Sequence, residues 1–315
     1  MIGVLRSPLT LASVAIVVLL ATGEILSPGF ARGDQIVRLL TVAAILGIVA
    51  AGQNLVILGG RGGIDLSVGV LVSCGAAIAG NVMDGQNSAI ATAVLAAGGA
   101  TFLVGMFNGL GVTAVGIPPL VMTLGMLAVG QGALVIASQG VPSGRAAPAL
   151  MAFVNQPAVF GLPGILVVWA VIALAMGLLL RRTAFGYAIY AIGANERAAR
   201  LLGLPVGLIR CLLYGASGLF AGLTGVCVIG YTGTSFISVG DQYVLPSIIA
   251  VVIGGTSLAG GAGGYLGTVL GAIALVLLQS VLTTLQMEAW GRQIIFGCTL
   301  LGLMLLYGRQ ARLRV

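Results

Sequence analysis

The stretch RRTAFGYAIYAIGANERAARLLGLPVGLIR, residues 181–210, is a polar island between two apolar runs. It holds five of the chain's 14 arginines, and Glu196 is its only acidic residue. Short arginine-rich loops between membrane-spanning helices stay on the cytoplasmic side. The island therefore sets the orientation of the chain in a membrane and offers a surface to a soluble cytoplasmic partner.

The composition is that of an integral membrane protein. Hydrophobic residues make up 59% of the 315 residues and charged residues only 7%, with a mean hydropathy of +1.17. Soluble domains are about 25% charged. Apolar runs of about 20 residues match the hydrocarbon core of a bilayer, about 30 Å thick. We therefore expect an all-α membrane protein with glycine-rich helix packing.

Apolar runs bounded by polar residues, glycine or proline predict about ten transmembrane helices. They lie at residues 8–26, 36–58, 65–83, 88–111, 118–138, 159–180, 207–230, 243–258, 263–285 and 292–307. The runs 65–83 and 243–258 are short or glycine-interrupted, which predicts broken or re-entrant helices. The first run resembles a secretory signal, but its length favours a membrane span.

The distribution of arginine gives the topology. With the N-terminus inside, ten arginines lie on the cytoplasmic side and four on the other, as the positive-inside rule requires. Ten spans place both termini in the cytoplasm. No hydrophilic stretch is long enough to fold as a separate aqueous domain, so we expect residues 1–315 to form one membrane domain.

The 51 glycines mark helix interfaces, because small residues allow close backbone approach in lipid. Spacings of four residues predict flat stripes on single helix faces at Gly105 and Gly109, at Gly218 and Gly222, and at Gly263, Gly267 and Gly271. Two denser clusters, residues 59–63 and 254–264, each follow one apolar span and open another. Such clusters in both halves of a chain are typical of unwound helices and of a duplicated architecture.

The island also predicts a short helix of its own. Asn195 is a good N-cap, Glu196 suits the first turn, and Gly203 followed by Pro205 predicts the end. The predicted helix, Glu196–Leu202, presents Arg197 and Arg200 on one face. A loop that is basic only because it is cytoplasmic explains the same residues, and the sequence leaves both interpretations open.

Asp65 lies at the cytoplasmic start of a predicted span, where an ionisable residue is a functional candidate. Its position before Leu66 and Ser67 favours a simpler role as the cap of the helix that begins there, with Arg61 as an ion-pair partner.

Uncharged polar residues inside the predicted spans are few. These residues are Gln53, Asn54, Asn108, Thr123, Gln131 and Gln279. Two roles fit them: lining a path for a neutral hydroxylated solute, or joining helices through hydrogen bonds. Asp65 and Ser67 are further candidates for the path.

Several function classes are disfavoured. The chain has no histidine, no lysine and no acidic residue near the centre of a confident span, which argues against proton-coupled transport. It has no nucleophile–base pair, no paired carboxylates and no phosphate-binding loop, so we expect neither an enzyme nor a cofactor. Four cysteines without metal-type spacing predict no metal site. The net charge of +7 follows from topology and not from nucleic-acid binding.

Four motifs carry a family resemblance. They are GGIDLSVG at 62–69, YAIGAN at 190–195, AARLLG at 198–203 and VVIGGTSL at 251–258. In this order and spacing, the chain resembles the permease subunits of bacterial ribose-type ABC importers over essentially its whole length.

This resemblance implies a multi-pass permease of the bacterial inner membrane that imports a pentose, hexose or related polyol. It implies a second permease subunit, identical or related, a pair of cytoplasmic ATPase subunits, a periplasmic sugar-binding protein and contact with membrane lipid, but no nucleic acid. Loop 181–206 would couple the permease to the ATPase. The coupling candidates are Asn195, Glu196, Arg197, Ala198, Arg200, Leu201 and Gly203.

One departure from the family pattern affects Glu196. Family members commonly have Asn-Pro-Glu-Ala-Ala-Arg where this chain has Asn195-Glu196-Arg197-Ala198-Ala199-Arg200, so the acidic residue is displaced by one position. A nucleoside or branched-chain amino acid permease of the same superfamily, and a stand-alone carrier that needs no ATPase, are the alternative functions.

Overall fold

The computed structural model describes residues 8–141 and 144–311, with residues 303–311 as backbone only. The described chain is almost entirely helical. Its helices are α1 Pro8–Leu26, α2 Gly33–Leu58, α3 Val68–Met83, α4 Ile90–Leu110, α5 Pro119–Ser138, α6 Pro148–Asn155, α7 Gly164–Arg182, α8 Ala184–Ala194, α9 Glu196–Leu201, α10 Val206–Thr232, α11 Asp241–Ile253, α12 Tyr265–Thr284 and α13 Ala289–Ala311. A 3₁₀ turn, Asn87–Ala89, precedes α4, and a π-helical turn, Gly111–Val115, follows it.

A helix lies at each of the ten predicted spans, but ten is too many membrane crossings for the described residues. Seven helices are long and apolar enough to cross a bilayer. α3 and α11 are too short, with 16 and 13 residues. Residues 65–67 form a turn before α3, and α11 ends where the glycine cluster at 254 begins, as the short and interrupted runs predict. α13 is not among the seven. The charged termini that carry Arg6, Arg312 and Arg314 lie outside the described residues.

Helices α2 and α10 form the centre of the bundle. In α2, 89% of the most apolar segment is buried, and α10 packs on α2, α3 and α4. Only 11% of the corresponding segment is buried in α1 and in α5. The outer helices therefore present their leucine and valine side chains outward, as expected for surfaces that face lipid.

Two predicted glycine stripes face each other. Gly105 of α4 lies against the backbone of Tyr214 of α10, while Gly218 of α10 lies against the backbone of Thr101 of α4. A methyl group at any of these glycines would overlap the opposing chain. The third predicted stripe is confirmed for Gly267 and Gly271, which pack on α11. Its third member, Gly263, lies instead in the loop before α12.

The connection between α5 and α7 contains structure that the sequence did not predict. It forms helix α6 and a small antiparallel hairpin of β1 Pro157–Val159 and β2 Leu162–Pro163. The span predicted from residue 159 therefore begins only at Gly164, after Pro163. Of the four cysteines, Cys211 is buried, Cys74 and Cys227 are partly buried, and Cys298 is exposed.

The packing of α4 on α10 gives a direct test. Gly105→Ala would place a methyl group inside the carbonyl of Tyr214, so we expect a loss of about 1–3 kcal/mol in stability. The matched control is Gly99→Ala on the same helix, where no atom lies within 4 Å of the added methyl group. Thermal unfolding in detergent should show a lower midpoint for Gly105→Ala alone, and equal midpoints for the two variants would contradict this packing.

Candidate functional site

The two glycine clusters meet in space. Residues 59–67, the first glycine segment, follow α2, and residues 254–264, the second glycine segment, follow α11. The N–H of Gly261 donates to the carbonyl of Leu58 at 3.0 Å. Gly60, Gly193 and Gly261 approach so closely that a side chain on any of them would overlap a neighbouring backbone. Both segments therefore contact the end of α8, immediately before Asn195.

Two consecutive amide side chains on α2 hold these segments. The Gln53 amide pairs with the backbone of Asp65, donating to its carbonyl at 3.1 Å and accepting from its N–H at 3.3 Å in the orientation that satisfies both groups. The Asn54 Nδ2 donates to Thr256 Oγ1 at 2.9 Å and to Thr268 Oγ1 at 3.0 Å. Gln53 thus anchors the first glycine segment, and Asn54 anchors the second.

Asp65 is a buried hydrogen-bonding centre. Its carboxylate accepts from the Ser67 N–H at 3.0 Å, the Ser67 hydroxyl at 2.5 Å and the Ser217 hydroxyl at 2.7 Å. The Asn108 Nδ2 donates in turn to the Ser67 hydroxyl at 2.9 Å. The carboxylate therefore joins the first glycine segment to α10 and, through Ser67, to α4.

Two expectations about Asp65 were wrong. Helix α3 begins at Val68 with Ser67 as its N-cap residue, so Asp65 stabilises the turn before the helix and not the helix terminus. Arg61 lies with its guanidinium 3.8 Å from Glu196, and no ion pair joins it to Asp65 in the described chain. A left-handed turn at Arg61, with φ 57°, separates the two side chains.

The candidate path residues fall into two groups. Asn54, Asp65, Ser67, Asn108 and Thr123 are fully buried and hydrogen-bonded within the bundle, so interhelical bonding accounts for them in this conformation. Their role in a path stays a prediction.

Gln131 and Gln279 lie nearer the opposite end of the bundle from α9 and are at least partly exposed. The Gln131 side chain lies beside the carboxylate of Asp241.

The predicted short helix is confirmed as α9, Glu196–Leu201. The Asn195 Oδ1 accepts from the Ala198 N–H at 3.0 Å, as an N-cap should. Gly203, with φ 78°, ends the helix, and the Leu204 N–H donates to the carbonyl of Ala199 at 3.1 Å. This pair of features is the Schellman motif. The preceding helix α8 was not predicted.

Glu196 ties α9 to the bundle. Its carboxylate lies 2.7 Å from Arg200, 3.1 Å from Arg210 and 3.8 Å from Arg61. Arg210 is nearly buried, with 5% of its side chain exposed, and also donates to the carbonyl of Gly59 at 3.4 Å. One acidic side chain therefore connects α9, α10 and the first glycine segment.

The surroundings of Glu196 strongly favour its ionised form over its neutral form. Burial raises the pKa of this carboxyl, but hydrogen bonds from Arg210 and Arg200 and the nearby charges of Arg210 and Arg61 outweigh it and lower the pKa to about 2. Glu196 is therefore ionised throughout the physiological range.

The outward face of α9 is available for contact. Leu201 and Leu202 are 85% and 79% exposed, and Arg197, Ala198 and Arg200 are exposed beside them. Exposed leucines flanked by arginines at the end of the bundle that the positive-inside rule places in the cytoplasm form a surface suited to another protein.

Some anchoring residues had no signal in the sequence. Ser217, Thr256 and Thr268 are small hydroxyl residues in apolar or glycine-rich runs, more than 100 residues from their partners. Arg210 was visible only as one basic residue of the island.

Asp65 gives a prediction that separates hydrogen bonding from charge. Asp65→Asn keeps an oxygen for the Ser67 N–H, and the serine hydroxyls can rotate to accept from the new amide, so we expect near-normal stability. Asp65→Ala leaves buried donors unpaired and should cost about 1–3 kcal/mol. Thermal unfolding in detergent measures both, and an Asn variant as unstable as the Ala variant would rule out this explanation.

Glu196 gives a second prediction. Glu196→Gln should loosen α9 by about 1–3 kcal/mol, because Arg210 loses its charged partner in a nearly buried position. We expect faster amide exchange across residues 195–203, measured by hydrogen–deuterium exchange. The matched control is Arg61→Gln, which removes only the longest of the three pairs, from an arginine whose side chain is more than half exposed.

The pH dependence of α9 follows from the same carboxyl. Its pKa is lowered from 4.5 to about 2, so its stabilising effect is present above 4.5 and is lost only as the pH falls through about 2. Exchange corrected for intrinsic rates should therefore be alike at about pH 5 and pH 7. Marked loosening at the lower of these two values would contradict the assignment.

The amino-acid sequence of the chain is similar to those of known membrane permeases. Residues 35–304 match the family described as branched-chain amino acid transport system / permease component. The chain is 33% identical over 286 residues to the ribose import permease protein RbsC of Escherichia coli K12, covering 90% of this chain and 88% of that protein. No solved structure gives a significant match.

Two further relatives have similar coverage. The chain is 31% identical over 280 residues to the ribose import permease protein RbsC of Bacillus subtilis 168, covering 88% of this chain and 86% of that protein. It is 33% identical over 302 residues to the autoinducer 2 import system permease protein LsrC of Yersinia pseudotuberculosis serotype O:3, covering 95% and 84%. The chain therefore belongs to the branched-chain amino acid transport system permease component family, as a multi-pass inner-membrane permease of the ABC importer type.

Proposed function

We propose that this chain is the membrane-spanning subunit of an importer that moves a monosaccharide into the cytoplasm and is energised by separate ATPase subunits. The observation that carries the proposal is the surface of α9, which is exposed on its outer face and tied to the bundle by Glu196 on its inner face. A surface of this kind can receive a force and pass it on.

Docking of an ATPase subunit on α9 explains two of its features. A helix of six residues is not stable alone in water, so the ion pairs of Glu196 and contacts with a partner must hold it. Leu201 and Leu202 would fill an apolar groove of the partner, and Arg197 and Arg200 would face an acidic rim. The coupling residues from Asn195 to Gly203 would thus include some that contact the ATPase subunit and others that hold α9 against the bundle.

The contacts behind α9 support a route for the force. Gly193 touches both glycine segments, and Arg210 joins Glu196 to the carbonyl of Gly59. The first glycine segment lies between α2 and α3, and the second lies between α11 and α12. Movement of α9 would therefore shift both unwound segments together, in the manner of helices that rock around a fixed site.

The relatives support a sugar as the solute. Two of those compared above are named ribose import permeases, and one is named for autoinducer 2. The description of the family names branched-chain amino acids, which makes an amino acid permease the second candidate. Apart from Asp65 and Arg210, the buried polar side chains among the described residues are neutral amides and hydroxyls, which suits a neutral solute better than a zwitterion.

The remaining parts of the importer complete the proposal. A periplasmic binding protein would deliver the sugar, and a second permease subunit, identical or related, would share the path along the dimer axis. Residues 1–315 would act as one permease domain with loop 181–206 as the coupling loop. The chain would hydrolyse no ATP itself, because it has no phosphate-binding loop.

Reconstitution in liposomes tests this function. Purified permease with its cognate ATPase and binding protein should take up radiolabelled ribose only when ATP is present. Equal uptake by the permease alone, unaffected by the added partners, would instead establish a stand-alone carrier.

A surface variant tests the docking face. Arg197→Glu combined with Leu201→Asp leaves the Glu196 ion pairs intact but places acidic charge where a partner should dock. We expect at least a tenfold loss of copurified ATPase subunit, since about 1.4 kcal/mol corresponds to a factor of ten.

The matched control for this variant is Leu285→Asp, which changes an exposed leucine at the far end of α12. Wild-type copurification and uptake in the double variant would show that the island is merely topogenic.

A further inference from the structure

A cavity with polar groups on one part of its wall opens between α11, α12 and α13, with Val42 and Leu46 of α2 behind it, at the end of the bundle away from α9. Its volume is about 350 Å³. Helix α12 starts beside the second glycine segment, and Gln279 lies 14 residues further along it. At 1.5 Å per residue, this places Gln279 about 21 Å from that segment. Its polar lining comes from three helices and consists of Asp241, Gln242, Gln279, Arg292 and Gln293.

The charges in this cavity do not neutralise each other. In the described chain no ion pair joins Asp241 to Arg292, although both line the cavity. Asp241 lies beside the Gln131 side chain, and Arg292 donates to the Thr283 hydroxyl at 2.8 Å. An arginine has five donors and a carboxylate about four acceptor sites, so both side chains keep free hydrogen-bonding capacity.

The other walls of the cavity are apolar and include two aromatic rings, Tyr243 and Phe296. Flat apolar walls with a few convergent polar groups are typical of small-molecule sites. A sugar ring has apolar C–H faces and a rim of hydroxyls that both donate and accept, and this cavity offers a partner for each of these features.

A larger cavity of the same bundle makes a useful contrast. It measures about 690 Å³ and runs along α7, with a lining of leucine, alanine and Trp169 and with Arg181 and Arg182 at one end. Its chemistry suits an acyl chain. Only 7% of the chain is charged. The clustering of an acid, a base and several amides in the smaller cavity is therefore not typical of the surface of this bundle.

We propose that the cavity between α11, α12 and α13 is a binding site for a neutral polyhydroxylated solute, of monosaccharide class, on the side of the membrane opposite the coupling helix. This inference rests on the proposed importer function and adds a location for the solute. The site would receive sugar released by the binding protein, with Gln242, Gln279 and Gln293 bonding its hydroxyls and Arg292 positioned by Thr283. Of the residues predicted to line a path, Gln279 belongs to this site.

The test uses the complete importer in liposomes, with ribose as the probe and with uptake and ATP hydrolysis measured together. Gln242→Ala combined with Gln279→Ala should lower uptake about five- to tenfold, because each lost net hydrogen bond weakens binding by up to about tenfold. ATP hydrolysis stimulated by the loaded binding protein should stay unchanged, since neither residue contacts α9. Fewer sugars would then be moved per ATP.

The matched control is Gln156→Ala, which removes an exposed glutamine outside the cavity on the same side of the bundle. It should leave both rates unchanged. Wild-type uptake per ATP in the double variant, with normal folding, would overturn the site. Absence of ATP-dependent uptake in the wild type would instead refute the importer function, so the two failures are distinguishable.

A labelling experiment tests the site without turnover. Gln279→Cys in a Cys298→Ser background should react with a membrane-impermeant thiol reagent added from outside, and ribose should slow the reaction. Absence of reaction, or reaction at the same rate with and without ribose, would overturn the proposal even if the variant is inactive in transport.

Discussion

The structure depends on satisfying the backbone of unwound chain inside the bundle. Lipid offers no hydrogen bonds, so non-helical backbone at membrane depth survives only where protein groups pair with it. Here two adjacent amides of α2 anchor both glycine segments, with Gln53 on the backbone of Asp65 and Asn54 on Thr256. Without these anchors α3 and α12 would lack a fixed starting point, which explains why the most buried helix of the bundle carries two polar side chains side by side.

This constraint links the centre of the bundle to the surface formed by α9. The same segments that α2 anchors are in contact with Gly193, and α9 follows two residues later. Close backbone contact through glycine leaves little room for independent motion, because interiors are packed densely and transmit displacement. Helix α9 and the two glycine segments that precede α3 and α12 therefore form one closely packed unit, with Glu196 and Arg210 at its edge. A partner that moves α9 would act on both halves of the bundle at once.

Polar residues in this chain have two different tasks. Those near the glycine segments are fully buried and bond groups on other helices or on the segments themselves, which makes them structural in this conformation. Those in the cavity between α11, α12 and α13 line an open space and retain unused donors and acceptors. A solute path suits groups of the second kind, because a sugar can reach them without displacing packed helices.

The sequence alone indicated the membrane class, a helix at each predicted span, the shortness of α3 and α11, and the short helix at Asn195 to Gly203. These depend on local composition and local hydrogen bonds, which a window of residues contains. Only the tertiary structure decided that Asp65 bonds Ser217 and not Arg61, and that the two glycine clusters touch. These contacts join residues that are distant along the chain, or follow from the direction of a turn. No pattern along a single chain specifies which small polar residues will face each other once the helices have packed.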